Sequence, residues 1–357
     1  YKKSFQSRDN FTIWGILQLL RRYPGLLPNV ELFFNCDDLP VVPSRLYQGV
    51  APPPVFGYCG DRRSLDIVFP DWSFWGWPEI NIKPWRPLLT ELTEGKNNSK
   101  WMDREPYAYW KGNPAVSDSR RDLLTCNVSQ HQDWNARLFV QDWIQESMRG
   151  FKQSDLRNQC RHRYNIYIEG NAWSVSQKYI LACNSVTLVV QPYFHDFFTR
   201  SLQPLKHYWP VRDVDKCRSI KFAVDWGNNH PSQAEAMGRE ASAFVEQQLR
   251  MENVYDYIFH LLKEYAKLQR FEPVIPEGAA EVCSETMACA SSGLEREFMV
   301  ESVGGGPSPS SPCVLPPPYQ PHVLAAFYRK KLNTIRRVAK WEDAYYDDPL
   351  PNRTVLV

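Results

Sequence analysis

Asp37 and Asp38 follow a short apolar run directly, in the order Asn35-Cys36-Asp37-Asp38-Leu39-Pro40. A carboxylate just past a strand faces the place where open α/β sheets bind their ligands. There it can take a proton from an acceptor hydroxyl, which is the work of a general base. An Asp before Leu-Pro is also ordinary turn chemistry. A second stretch, Ile168-Glu169-Gly170-Asn171-Ala172-Trp173-Ser174, reads as strand, glycine turn and helix start. Free backbone N–H groups and the helix dipole make such a junction suited to phosphate, and the glycine allows close backbone approach. With a single glycine it is no dinucleotide fingerprint. Arg157, Arg161, Arg163 and Lys178 stand close by in sequence as counter-charge for a diphosphate. Lys111-Gly112-Asn113 ends another expected strand and leads to Asp118-Ser119-Arg120-Arg121-Asp122, again suited to a phosphate or a ribose. Helix capping and a solvated charge run explain both stretches on local pattern alone.

The segment 70–85, PDWSFWGWPEINIKPW, carries Trp72, Trp75, Trp77 and Trp85. Trp is large and amphipathic, so a loop rich in it either fills a core or offers a flat apolar face to a sugar ring or an aromatic-bearing peptide. A packing corner between two domains would use the same residues.

These residues need elements to hold them. Apolar spacing predicts a helix over 11–22, stopped by Tyr23-Pro24-Gly25, then short strands over 30–35, 55–59 and 65–69 and a helix over 86–95. A second block predicts a strand over 107–111, a helix over 117–126, a strand over 163–169, a helix over 174–182, a continuous apolar strand over 185–190, and helices over 232–249 and 254–270. Strands alternating with helices in two blocks indicate a pair of doubly wound α/β domains. From Phe271 the composition turns to Pro, Gly and Ser, with 303–318 reading as a flexible linker before a basic helix over 323–338. No internal repeat is visible.

At 357 residues the chain suits about two domains. Lys plus Arg number 42 and Asp plus Glu 40, giving a net charge of +2, and this near-balance argues against a nucleic-acid partner. Aromatic content of 14% fits a protein that handles carbohydrate. None of the nine cysteines forms a C-x-x-C pair, which disfavours zinc-ribbon and thioredoxin chemistry. Four N-x-S/T sequons, at Asn10, Asn97, Asn127 and Asn352, lean toward the secretory lumen. The sequence contains no signal peptide and no apolar run long enough to span a bilayer. It opens inside what reads as a domain, so membrane attachment is expected only through an N-terminal anchor preceding Tyr1.

Taken together, PDWSFWGWPEINIKPW, the run Arg104-Glu105-Pro106-Tyr107-Ala108-Tyr109-Trp110-Lys111-Gly112-Asn113-Pro114, and RHRYNIYIEGNAWSVSQKYILACNSVTLVV resemble the Rumi-like protein O-glucosyltransferases. This is glycosyltransferase family 90, with its capsule-associated-protein-type domain, and the wording is nearest the plant branch. Phe197-Phe198 and His207-Tyr208-Trp209-Pro210-Val211 extend the resemblance over roughly residues 28 to 270. It implies a GT-B fold of two Rossmann-like domains facing across a cleft: an acceptor-side domain over 1–105, a donor domain over 106–270 and an irregular tail over 271–357. It also implies inverting transfer of glucose or xylose from a UDP-sugar to a hydroxyl of a protein or glycan, in the Golgi or endoplasmic reticulum lumen. The UDP-sugar is a substrate, and neither cofactor nor metal is expected, since no Asp-x-Asp follows a strand.

The family's Asn-x-x-Asp-x-Pro motif assigns the base to Asp38. Donor contacts carry over onto Asn113, Arg121 and Asn171, Ala172, Trp173, Ser174, Val175 and Ser176, and acceptor contacts onto Trp75, Trp77, Glu79 and Trp85. Cys160 and Cys183 match a family disulfide bracing the donor loop. Two departures stand out. Val175-Ser176 replaces the Phe-Arg of the animal enzymes, so Lys178 or Arg163 must face the diphosphate instead, and a point charge is a poorer match than a guanidinium fork. The Glu-Gly-Gly-Pro insertion that contacts a folded protein acceptor is also absent, which favours a glycan acceptor. The missing Arg motivates the alternative of a non-catalytic sugar-binding or scaffold protein on the same fold. A cytosolic sugar-phosphate enzyme is a third reading, disfavoured by the sequons.

Overall fold

The computed structural model describes residues 4–97 and 99–347, so the sequon at Asn352 lies outside the described residues. Along the chain run α1 (Arg8–Arg22), β1 (Phe33–Phe34), β2 (Val55–Gly57), β3 (Ile67–Val68), α2 (Trp85–Asn97), β4 (Glu105–Gly112), α3 (Asp118–Leu123), β5 (Ala136–Val140) and α4 (Trp143–Met148). They are followed by β6 (His162–Tyr167), α5 (Ser176–Leu181), β7 (Val186–Val190), β8 (Trp209–Val211), α6 (Lys216–Asn229), α7 (Pro231–Gln248) and α8 (Met251–Ala266). α9 (Ser284–Ala290), α10 (Gly293–Glu301) and α11 (Pro321–Asp347) complete the set. The chain divides into two compact units, one of residues 1–88, 194–197 and 248–316, the other of 89–193, 198–247 and 317–357.

The first unit holds a three-stranded parallel sheet in the order β1-β2-β3. α1 turns Phe11, Trp14 and Leu19 inward, and its Gly15 lies against Trp75, whose ring is 2.5 Å from where a Cβ would stand. β1 is shorter than the expected 30–35 strand. The carbonyl of Glu31 accepts from Tyr265 and Gln269 of the α8 region at 2.9 and 3.0 Å, and so is lost to the ladder. The region after 271 is not wholly irregular, as its composition led us to expect. α9 and α10 form there, with Phe298 and Met299 buried. Trp14 Nε1 donates to Ser302 Oγ at 2.9 Å, and the Gly304 and Ser308 amides donate to Gln18 and to the Arg22 carbonyl.

The second unit is built on a five-stranded, all-parallel sheet in the order β5-β4-β6-β7-β8. Tyr164, Ile166, Val186, Leu188 and Val190 on β6 and β7 are buried, as parallel strands covered on both faces require. The order runs outward in opposite directions from β4 and β6, so the topological switch point of this sheet lies between them, where doubly wound sheets bind ligands. β5 is an edge strand. Asn127 covers it, accepting from the Leu138 amide at 3.0 Å and donating to the Leu138 carbonyl at 3.1 Å. α11 packs on α6 through Glu342 to Ser219 and Tyr345 to Asp225, at 2.9 and 2.8 Å.

Two disulfides join this unit: Cys160–Cys183, the pair implied by the resemblance, and Cys126–Cys217. Their sequence separations are 23 and 91 residues. Chain entropy alone predicts stabilisation of about 3.5 and about 4.5 kcal/mol respectively. The Cys126→Ser/Cys217→Ser double variant therefore loses more stability to urea than Cys160→Ser/Cys183→Ser, and the reverse order would show that native packing outweighs loop closure.

Candidate active site

In the first unit, Asn35 shapes the turn that carries the two carboxylates. Its amide donates to the Leu39 carbonyl at 2.9 Å and its oxygen accepts from the Asp37 amide at 3.2 Å. Asp37 is exposed; the Asp38 side chain is 33% exposed and pairs with Arg8 Nη1 at 2.7 Å. Arg8 is buried at the start of α1, its guanidinium 4.4 Å from the Trp72 ring and 6.0 Å from that of Trp77. Glu79 accepts from the Ser7 amide at 2.7 Å and hydroxyl at 2.9 Å, and Trp77 Nε1 donates to Gln6 at 2.9 Å. The Trp-rich segment thus fixes the first turn of α1, that turn places Arg8, and Arg8 orients Asp38. Trp75 and Trp85 do something else. Both are 0% exposed, with indole N–H groups bonded to Tyr255 Oη and the Leu249 carbonyl, and they offer no face to an acceptor. Their spacing in the sequence matched a platform, but their large apolar area fills the core.

In the second unit the expected donor segments meet at the switch point. β4 ends at Gly112, where a Cβ would come within 2.5 Å of the Trp110 ring, so only glycine fits. Asn113 follows and accepts from the Ala115 amide at 2.9 Å. After β6 the chain runs through 168–176 into α5; Ala172 and Trp173 are buried and Asn171 is exposed. The Ser174 amide donates to Tyr167 Oη at 3.2 Å, and the Ser174 and Ser176 hydroxyls are 2.9 Å apart. Arg120 ties the two loops together. It donates to the carbonyls of Glu169, Ile168 and Asn113 at 3.0, 3.2 and 3.3 Å, and to Ser174 Oγ at 3.3 Å. Burial pulls its guanidinium below the ordinary arginine value, and Tyr167 and Tyr179 oppose that shift. Sequence reasoning missed this role and singled out the next residue. Arg121 lies on the exposed side of α3, 56% exposed, paired with Asp118. The available signal was helix geometry, since adjacent residues on a helix point about 100° apart.

Arg157, Arg161 and Arg163 do not supply charge to this loop, contrary to the expectation from their nearness in sequence. Arg157 pairs with Asp155, Arg161 precedes β6, and Arg163, near the start of β6, donates to the Met102 carbonyl and to Asn228. The loop leaves the other end of that strand, roughly 16 Å away at 3.3 Å per residue. Lys178 is on the correct side, 1% exposed, with Nζ 3.3 Å from the Val175 carbonyl it donates to.

Residues 1–342 match Glycosyl transferase family 90. The chain belongs to that family. Among curated relatives, the family 90 chain is 27% identical over 270 residues to "O-glucosyltransferase rumi homolog" of Anopheles gambiae, covering 72% of this chain and 66% of the relative. It is 24% identical over 278 residues to "O-glucosyltransferase rumi" of Drosophila melanogaster, covering 74% and 66%. It is 23% identical over 284 residues to human "Protein O-glucosyltransferase 1", covering 75% and 70%. This family 90 chain thus spans just under two thirds of the insect relatives' length. Among the described residues no helix is long and apolar enough to cross a membrane.

Proposed function

We propose that this family 90 glycosyltransferase moves glucose or xylose from a UDP-sugar to a hydroxyl of a protein or glycan acceptor, with inversion, in the Golgi or endoplasmic reticulum lumen. The division of labour is that of a GT-B enzyme, with the second unit holding the nucleotide and the first supplying the base. Asp38 takes the acceptor proton, the freed oxygen attacks the anomeric carbon, and the bond to UDP breaks on the opposite face. The leaving diphosphate is met by the 171–176 loop at the start of α5 and by Arg121, electrostatic work of the kind that dominates such transfers. The observation that carries this reading is the placement of Asp38: a partly exposed carboxylate beyond the end of β1, oriented by a buried arginine.

The experiment is UDP release against UDP-glucose and UDP-xylose. Turnover with one of them, lost in Asp38→Asn, supports the reading and names the sugar. UDP binding without turnover on any acceptor offered favours the non-catalytic alternative. Arg121→Ala tests the donor side. Its pair with Asp118 is exposed and held by about 0–1 kcal/mol, so little opposes its turning to a phosphate. Calorimetry should show UDP binding weakened by about 1.5–3 kcal/mol, the worth of a hydrogen bond to a charged group, with the melting temperature unchanged. An unaltered dissociation constant would remove Arg121 from the site.

A further inference from the structure

The sequons are not equivalent once the chain is folded. Asn127 uses its amide as a two-point clamp, with oxygen and nitrogen both bonded to Leu138 of the edge strand β5. A side-chain amide that meets both backbone groups of one residue must use the hydrogen lying on the same side as its oxygen. An N-linked sugar replaces that hydrogen, because a secondary amide is trans and its carbon substituent stands on the oxygen side. Keeping the clamp would require the cis amide, at about 2.5 kcal/mol or more. Asn10 sits in the first turns of α1 with its amide donating to Glu295 Oε1 at 2.9 Å. The hydroxyl of its sequon partner Thr12 is buried between the Arg8 carbonyl and Tyr58 Oη, at 2.8 and 2.7 Å. Asn97 differs from both. It is the last residue of α2 and is exposed, and no protein group among the described residues bonds its amide. The preceding Lys96 is buried against Ser242 and Glu246, and its carbonyl accepts from Arg104 at 2.7 Å. The helix end is therefore anchored while Asn97 faces solvent.

We infer that Asn97 carries an N-linked glycan and that Asn127 and Asn10 do not. The inference rests on the lumenal placement proposed above. The donor is a lipid-diphosphate-linked oligosaccharide: the Asn97 Nδ2–C1 bond forms, the bond from C1 to the diphosphate oxygen breaks, and Nδ2 gives up one proton. A glycan there disturbs no hydrogen bond among the described residues.

The test expresses the full chain behind a cleavable secretion signal in a eukaryotic host. The secreted, folded fraction is deglycosylated in heavy-oxygen water, and labelled Asp is mapped by peptide mass spectrometry. Label at Asn97 in most chains and its absence from Asn127 and Asn10 is the expected result. Ser99→Ala, which leaves Asn97 in place, should remove that label without changing melting. Label at Asn127 in folded chains, or a glycosylated chain with Asn97 unlabelled, overturns the inference and leaves the lumenal reading standing. No label on any sequon, together with full alkylation of the nine cysteines, overturns both.

Discussion

Asp38→Asn yields a chain that binds UDP as before and turns over about 10²–10⁴ times more slowly, the usual contribution of a positioned base. The amide keeps the size of the carboxylate and still offers an oxygen to Arg8 Nη1, so folding is little affected while proton transfer is lost. Asp38→Ala is the poorer variant, because it strands the buried Arg8 guanidinium without a counter-charge, and that alone is strongly destabilising. Comparing the two separates chemistry from structure: Asn should stop catalysis only, whereas Ala should also lower the melting temperature. If Asp38→Asn retains near-normal turnover, the base lies elsewhere, with Asp37 next to be examined.

The second large effect belongs to Arg120. Alanine there leaves the carbonyls of Ile168 and Asn113 without the donor that now serves them, and leaves the Glu169 carbonyl only the long 3.4 Å bond from Ser117 Oγ. Unsatisfied groups of this kind cost about 1–3 kcal/mol each when water does not reach them. We therefore expect Arg120→Ala to lose about 3 kcal/mol of stability and, because 168–176 is no longer tied to Asn113, at least tenfold in UDP affinity. Lysine should not rescue it, since an ammonium cannot span positions that a planar fork spans. Arg121→Ala provides the contrast: affinity moves and melting does not. Unchanged urea unfolding of Arg120→Ala would mean that the loops hold their shape without this brace.

Much of the frame was legible because long helices advertise their period. α1, α2, α7 and α8 lie where apolar spacing put them, within four residues, and α11 runs nine residues past its expected end. The signal failed where elements are short or borrowed. β5 is a five-residue edge strand whose outer side is satisfied by Asn127, and a side chain acting as a strand has no sequence period. α6 carries Phe222, Ala223 and Val224 in an unbroken run that helix and strand share. α9 and α10 were hidden by the Pro, Gly and Ser around them, although Phe298 and Met299 supplied the face they bury. At the candidate site, motif order picked out the Asp38 turn and the 168–176 loop. What it could not give is direction: which of two adjacent arginines turns inward, and which tryptophans face away from solvent.

The contact between Gly15 and Trp75 constrains how this sequence can change over time. The indole occupies the space a side chain at position 15 would need, and the helix that carries Gly15 also carries Arg8. Neither position can drift alone. A larger residue at 15 is tolerable only after a smaller one has arisen at 75, and each intermediate shifts the helix whose Arg8 pairs with Asp38. The two sites form an epistatic pair whose cost would reach Asp38 through Arg8.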